Sequence, residues 1–137
     1  MASSKTFDAL IIGGGPAGLA MAVSLARQAQ TTLILDSGAY RNAVSKHMHA
    51  VPGFDHVDPA LFRAKVKKDL EERYGSCVEF QTAEVREVRK LSDTTGFEAV
   101  DVEGRRFRGL KLGLGTGVRD VLEKEVEGYS DCWGRGV

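Results

Sequence analysis

Hydrophobic residues come in short bursts separated by glycine and polar positions, and the period of the bursts changes along the chain. Phe7 to Ile12 is an apolar run that ends in glycines, the pattern of a strand covered on both faces of a parallel sheet. Pro16 to Ala29 carries Leu19, Ala20, Val23 and Ala26 at helical spacing with Leu25 beside them, and Pro16 sits near the first turn, where its missing N–H is harmless. Thr31 to Leu35 is a second buried strand that ends in Asp36. These three segments predict a β-α-β unit. From Ser37 to Val57 the pattern is irregular and holds all three histidines; a loop of this length in a compact domain belongs to a ligand site or a lid.

Asp58-Pro59 then opens a helix to about Tyr74, with Asp58 as N-cap, Pro59 in the first position and Val57 set to staple onto Phe62. Phe62, Val66, Leu70 and Tyr74 make its inner face; Lys65, Lys67, Lys68, Glu71, Glu72 and Arg73 make a solvated outer one. Val78 to Arg89 contains a strand by alternation. Phe97–Val102 and Arg105–Leu110 flank Glu103-Gly104 as a hairpin, with Arg105, Arg106 and Arg108 expected to point outward. Leu110 to Leu114 reads as a third buried strand running into Gly115-Thr116-Gly117, followed by a helical turn within Asp120–Glu127 and punctuation at Gly128, Gly134 and Gly136. No internal repeat or low-complexity segment interrupts this order.

Length and charge narrow the classes. The 137 residues suit one domain. Nineteen basic and nineteen acidic side chains give zero formal charge, which argues against a nucleic-acid binder that works by neutralising phosphates. No apolar stretch approaches the ~20 residues that span a bilayer, so a soluble cytoplasmic protein with no membrane contact is expected. Cys77 and Cys132 lack a C-x-x-C or metal-type spacing and read as reduced thiols. His47, His49 and His56 share one loop, but no carboxylate or cysteine stands at ligand-like spacing, so no metal site is expected.

The 16 glycines, above the usual ~7 per cent, carry the chemistry. Gly13, Gly15 and Gly18 form G-x-G-x-x-G after a strand and at the opening of a helix. Gly13 permits the tight turn, Gly15 keeps Cβ away from a pyrophosphate, and Gly18 lets helix and strand pack closely. The helix N-terminus offers free amides and partial positive charge to phosphates. Asp36, at the end of the second strand, is the acceptor for ribose hydroxyls. NAD and FAD share this adenylate half; the inserted hairpin and the glycine-rich end at Gly113, Gly115 and Gly117 favour FAD.

Five stretches carry a family resemblance: Ile11 to Leu19 (IIGGGPAGL), Leu35 to Asn42 (LDSGAYRN), His47 to Asp55 (HMHAVPGFD), Asp58 to Arg63 (DPALFR) and Gly115 to Asp120 (GTGVRD). The chain resembles the N-terminal part of thioredoxin-reductase-like flavoproteins, the class II pyridine nucleotide-disulfide oxidoreductases, and especially the fungal secondary-metabolism branch with the gliotoxin-type dithiol oxidases. The resemblance implies a Rossmann-like α/β FAD-binding domain over residues 1–137, a parallel sheet with an inserted β-hairpin, incomplete in this chain. It places Gly13, Gly14, Gly15, Pro16, Ala17 and Gly18 at the pyrophosphate turn. Asp36, Ser37, Gly38, Ala39, Tyr40 and Arg41 fall on the adenosine and ribose side, His49 at the flavin and Gly115 beside the cofactor, where Ala is usual. Arg41 would pair with a phosphate or close the loop on Asp36.

Members of that family continue into an NADPH domain with a redox C-x-x-C, which this sequence lacks. Gly113 and Gly115 stand where larger residues are expected, which loosens a buried strand by up to ~1 kcal/mol each. Cys132 resembles a residue near the redox motif, but a single thiol runs no dithiol cycle, so no catalytic side chain is expected. The resemblance therefore implies an FAD-dependent oxidoreductase module acting on a small-molecule substrate, with a second copy or partner chain to complete it. A non-catalytic truncated remnant or interaction module, and a small NAD-dependent reductase, are the alternative readings.

Overall fold

The computed structural model describes residues 2–92, 95–122 and 125–133, with side chains from residue 5 onward. The chain runs β1 (Ala2–Ile12), α1 (Pro16–Ala26), β2 (Thr32–Asp36), a single 3-10 turn at Arg41–Val44, α2 (Pro59–Tyr74), β3 (Val78–Thr82), β4 (Val85–Lys90), β5 (Phe97–Asp101), β6 (Arg106–Leu114) and α3 (Tyr129–Cys132). The strands make a six-stranded sheet in the order β3-β2-β1-β6-β5-β4. The first four of these are mutually parallel, and β4 and β5 join antiparallel.

Alternation along β1 and β2 divides the core between two faces. Ile11 and Ile34 point toward α1 and α2, where Leu19, Ala22, Ala26 and Leu70 cover them. Leu10, Ile12, Leu33 and Leu35 point the other way and are met by Ala99 and Phe107, with Val85 and Val88 packed alongside. Both faces are thus dry, which is why these strands read as unbroken apolar runs. α1 ends three residues earlier than the pattern suggested: Ala29 takes a left-handed φ of 56°, and its N–H closes the helix onto the Ala26 carbonyl at 2.9 Å. At α2 the Asp58 carboxylate accepts from Ala60 N–H at 2.6 Å, as an N-cap should. The ring that meets Phe62 is Phe54, at 5.1 Å between centroids and nearly edge-on.

Three expectations from the second half of the chain are corrected. Val78 to Arg89 is two strands at opposite edges of the sheet, parted at Ala83-Glu84. The return limb of the hairpin and the third buried strand are one strand, β6, paired antiparallel with β5 as far as Gly109 and parallel with β1 to its end. Gly109 pairs with Phe97 on one side and Phe7 on the other, and a Cβ there would come within 2.7 Å of the Leu10 side chain. In the tail the helical turn is Tyr129–Cys132 rather than any part of 120–127 that the structure describes. Gly134 and Gly136 lie outside the described residues.

Arg106 and Arg108 of β6 face outward as expected, with Arg105 just before the strand partly exposed, but all three are also engaged. They surround two acids of β5 whose side chains are fully buried, Glu98 and Asp101. Glu98 accepts from Arg89 Nε at 3.1 Å, Arg106 Nη1 at 2.9 Å and Arg108 Nε at 3.1 Å, and Asp101 accepts from Arg105 Nε at 2.6 Å. Spacing alone showed the cations and gave no hint that two acids needed them.

Candidate functional site

All four parallel strands end at one edge, and the glycine turn after β1 sits at its centre. Gly13 N–H donates to the Leu35 carbonyl and Gly115 N–H to the Ile12 carbonyl, each at 2.8 Å, so the turn is tied to both neighbouring strands. Gly13 has φ +103°, and a Cβ there would overlap the Gly115 carbonyl. A Cβ on Gly18 would overlap the Gly13 carbonyl, and one on Gly115 would stand 3.0 Å from the Gly18 backbone. Gly13, Gly18 and Gly115 therefore let the β1 turn, the first turn of α1 and the end of β6 touch backbone to backbone. That contact gives Gly115 a positive reason where the sequence suggested only a weakness. Gly15 differs, since nothing comes nearer to its Cβ position than the Tyr40 ring at 4.0 Å. No side chain caps α1, so the amides of its first turn remain for a ligand.

Asp36 closes the second side. Its Oδ1 accepts from Gly14 N–H at 3.2 Å and Gly38 N–H at 3.1 Å, while its Oδ2 accepts from the Tyr40 hydroxyl. A side chain at Gly14 would overlap this carboxylate, a demand on the second glycine that the spaced motif does not express. The Tyr40 ring lies beneath the Arg63 guanidinium at 3.9 Å, and Arg63 Nη1 donates to Asn42 Oδ1 at 2.8 Å. Burial and the hydrogen bond to the Asp36 carboxylate push the Tyr40 phenol up to about 12. It stays a neutral donor at any physiological pH. Arg41 closes on Asp120 and not on Asp36; its Nε donates to the Asp120 carboxylate at 2.9 Å.

These groups border a cavity of about 450 Å³. Gly13, Gly14, Gly15, Pro16, Ala17, Asp36, Ser37, Ala39, Tyr40, Arg41 and Gly115 line it; Gly18, Gly38 and His49 do not. Ala83, Glu84 and Val85 also line it, which sequence reasoning missed. Their signal was the break in alternation between Phe80 and Val85, where the Ala83 N–H donates to the Asp36 carbonyl at 3.0 Å. His49 lies in the loop with Asp55 and His56, and the expectation that no carboxylate approaches the histidines is corrected: Asp55 Oδ1 is 3.4 Å from His49 Nδ1.

Residues 8–74 match the family model for an FAD binding domain, which indicates FAD as the cofactor. Over 137 residues the chain is 42% identical to thioredoxin reductase tcpT of Claviceps purpurea, covering 100% of this chain and 42% of that protein. The chain is thioredoxin-reductase-like. Thioredoxin reductase aclD of Aspergillus oryzae is 43% identical over 135 residues, covering 98% of this chain and 42% of the relative. Among solved structures, an oxidoreductase from Agrobacterium tumefaciens superimposes with a TM-score of 0.85 at 30% identity, over 96% of this chain and 43% of that one. The chain thus spans about two fifths of the length of the thioredoxin reductases it matches.

The residues present fit the nucleotide part of FAD. The thioredoxin-reductase-like turn leaves Gly15 uncovered, leaves the α1 amides uncapped and sets a carboxylate opposite them, all at the strand ends where open α/β sheets bind ligands. Among the described residues no helix is long and apolar enough to cross a membrane, and Cys77 and Cys132 are free thiols.

Proposed function

We propose that residues 1–137 form the FAD-binding unit of a cytoplasmic thioredoxin-reductase-like oxidoreductase serving fungal secondary metabolism, with a small molecule as substrate. The observation that carries this reading is the backbone contact of Gly13, Gly18 and Gly115 beneath an open cavity bordered by Asp36. Gly14 to Ala17 and the first amides of α1 hold the pyrophosphate, and Asp36 accepts from the ribose. Ser37, Ala39 and Tyr40 border the adenosine side. FAD, when bound, supplies the redox chemistry, while the protein binds and orients it. No side chain at the cavity is assigned as a catalytic acid or base. The electron donor and a thiol relay come from protein beyond these residues or from a partner chain, and the zero net charge argues against nucleic acid as that partner.

One observation favours a second reading, a non-catalytic interaction module. Leu110, Leu114, Val118 and Val121 are exposed by 45, 63, 63 and 91% along β6 and the segment after it, an apolar surface of the kind that another chain or a second copy covers. The visible absorbance spectrum separates the two. Purified protein mixed with FAD and freed of excess is expected to keep an oxidised flavin spectrum, which ADP then displaces. Protein that stays colourless favours the module, and preferential binding of NADH would point to a nicotinamide reductase instead.

A further inference from the structure

Away from the nucleotide cavity, the loop between the 3-10 turn and α2 brings together two imidazoles and a carboxylate. His49, Asp55 and His56 each present one ligating atom, all within 4.8 Å of one another. Asp55 Oδ1 lies 3.4 Å from His49 Nδ1, and Asp55 Oδ2 lies 3.6 Å from His56 Nε2. Four ligands placed tetrahedrally at ~2.0–2.1 Å from a zinc ion stand ~3.3 Å apart. The His49–Asp55 spacing is close to that of a filled site, while His56 stands against the other carboxylate oxygen; with one ligating atom from each residue all three lie within 4.8 Å, a gap that rotations of these exposed side chains close. The His49 and His56 rings meet edge-on with centroids 4.7 Å apart.

The loop backbone holds this grouping in place. Met48 N–H donates to the Val57 carbonyl at 2.8 Å and His56 N–H donates back to the Met48 carbonyl at 2.9 Å. Met48 is buried, and Phe54 packs edge-on against Phe62 of α2, so both the closed end and the middle of the loop are anchored. Ala50 N–H donates to Asp55 Oδ1 at 3.2 Å, which orients the carboxylate. His56 takes a left-handed φ of 62°, a conformation that histidine tolerates better than most residues.

We propose that His49, Asp55 and His56 form a three-ligand site for a divalent transition-metal ion of the zinc, nickel or cobalt class, with the remaining coordination position open to solvent. Two imidazoles select such ions over magnesium or calcium, which take oxygen ligands. The site is a surface one, with the ligand side chains 57 to 74% exposed, so its ion exchanges readily.

Isothermal titration of zinc chloride into the chelator-treated full chain tests this directly. One equivalent is expected to bind, about ten-fold more weakly in each of His49→Ala, Asp55→Asn and His56→Ala, and unchanged in a Cys77→Ser/Cys132→Ser variant. Cobalt added to the unmutated chain gives a reading that needs no variant to fold: visible d–d bands are expected without thiolate charge-transfer absorption. Absence of saturable zinc binding, binding that survives replacement of all three ligands, or loss of binding with the cysteines would each overturn the site.

Discussion

Asp36 and Glu98 are both acids on β-strands with several hydrogen-bond donors, yet their donors differ in charge, and with that their accessibility. Asp36 is satisfied by two backbone amides and a phenol, none of which cancels its charge, and it remains on the wall of the cavity. Glu98 is satisfied by three guanidinium groups and is sealed, with no exposed side-chain surface. A carboxylate has room for about four acceptor contacts, so Asp36 keeps acceptor capacity for a ligand hydroxyl while Glu98 is enclosed by cations. Neutral donors therefore leave an acid available for recognition, and cationic donors turn it into a structural post. The same distinction explains the arginines of β6, which are engaged in holding the β4-β5-β6 layer together.

Substitutions that break one side of this comparison rank by how much backbone they disturb. Gly18→Val forces the first turn of α1 off the Gly13 carbonyl and is expected to cost about 3 kcal/mol or more, read as a lower urea midpoint together with loss of FAD retention. Next is the Glu98 cluster. Burial pushes the Glu98 carboxyl up, but hydrogen bonds from Arg89 and Arg108 and the charges of Arg89 and Arg106 outweigh it and hold the group below its ordinary value of 4.5. Asp101 likewise lies below its ordinary 3.8: burial raises it, and the Arg105 contacts more than reverse that. Acids lowered in the fold contribute stability that is complete above the unfolded-state values and is lost as pH falls through the lower folded-state ones. Glu98→Gln is expected to lower the melting temperature at neutral pH and to flatten the loss of stability on acidification, and denaturation curves across the acid range measure both.

Smaller effects belong to Asp36 and its phenol. Asp36→Asn leaves the strand intact but removes the charge proposed to accept from the ribose, and ADP or FAD affinity is expected to fall about ten-fold or more, measured by fluorescence titration. Tyr40→Phe has the opposite sign. Removing the hydroxyl frees Asp36 Oδ2 for the ribose, and binding is expected to tighten by about two- to five-fold. A loss of affinity in this variant would mean that Tyr40 itself holds the ligand.

The first half of the chain was legible because each signal there is local. An apolar run, a G-x-G-x-x-G turn and a proline-started helix each specify φ, ψ and burial within a few residues; β2 and α2 follow them closely, α1 ends three residues early, and β1 begins at Ala2, five residues before its apolar run. The tight backbone approach at Gly13 and Gly18 was readable for the same reason. The second half depended on partners far away in sequence. Val78 to Arg89 splits because its two halves add to opposite edges of the sheet, and no residue inside that segment encodes which edge is vacant.

What the sequence by itself determined is the β-α-β turn and the positive polarity of the α1 N-terminus, since both arise from backbone freedom and dipoles within about thirty residues. Tertiary structure alone decided that Gly115 must be small, that Gly14 must clear Asp36, that Arg41 turns to Asp120 and that Asp55 reaches His49 and His56. Each of these is a contact between segments whose spacing is set by sheet order and loop closure. Steric exclusion and hydrogen bonding act at a few ångströms, and only the folded chain brings these groups that close.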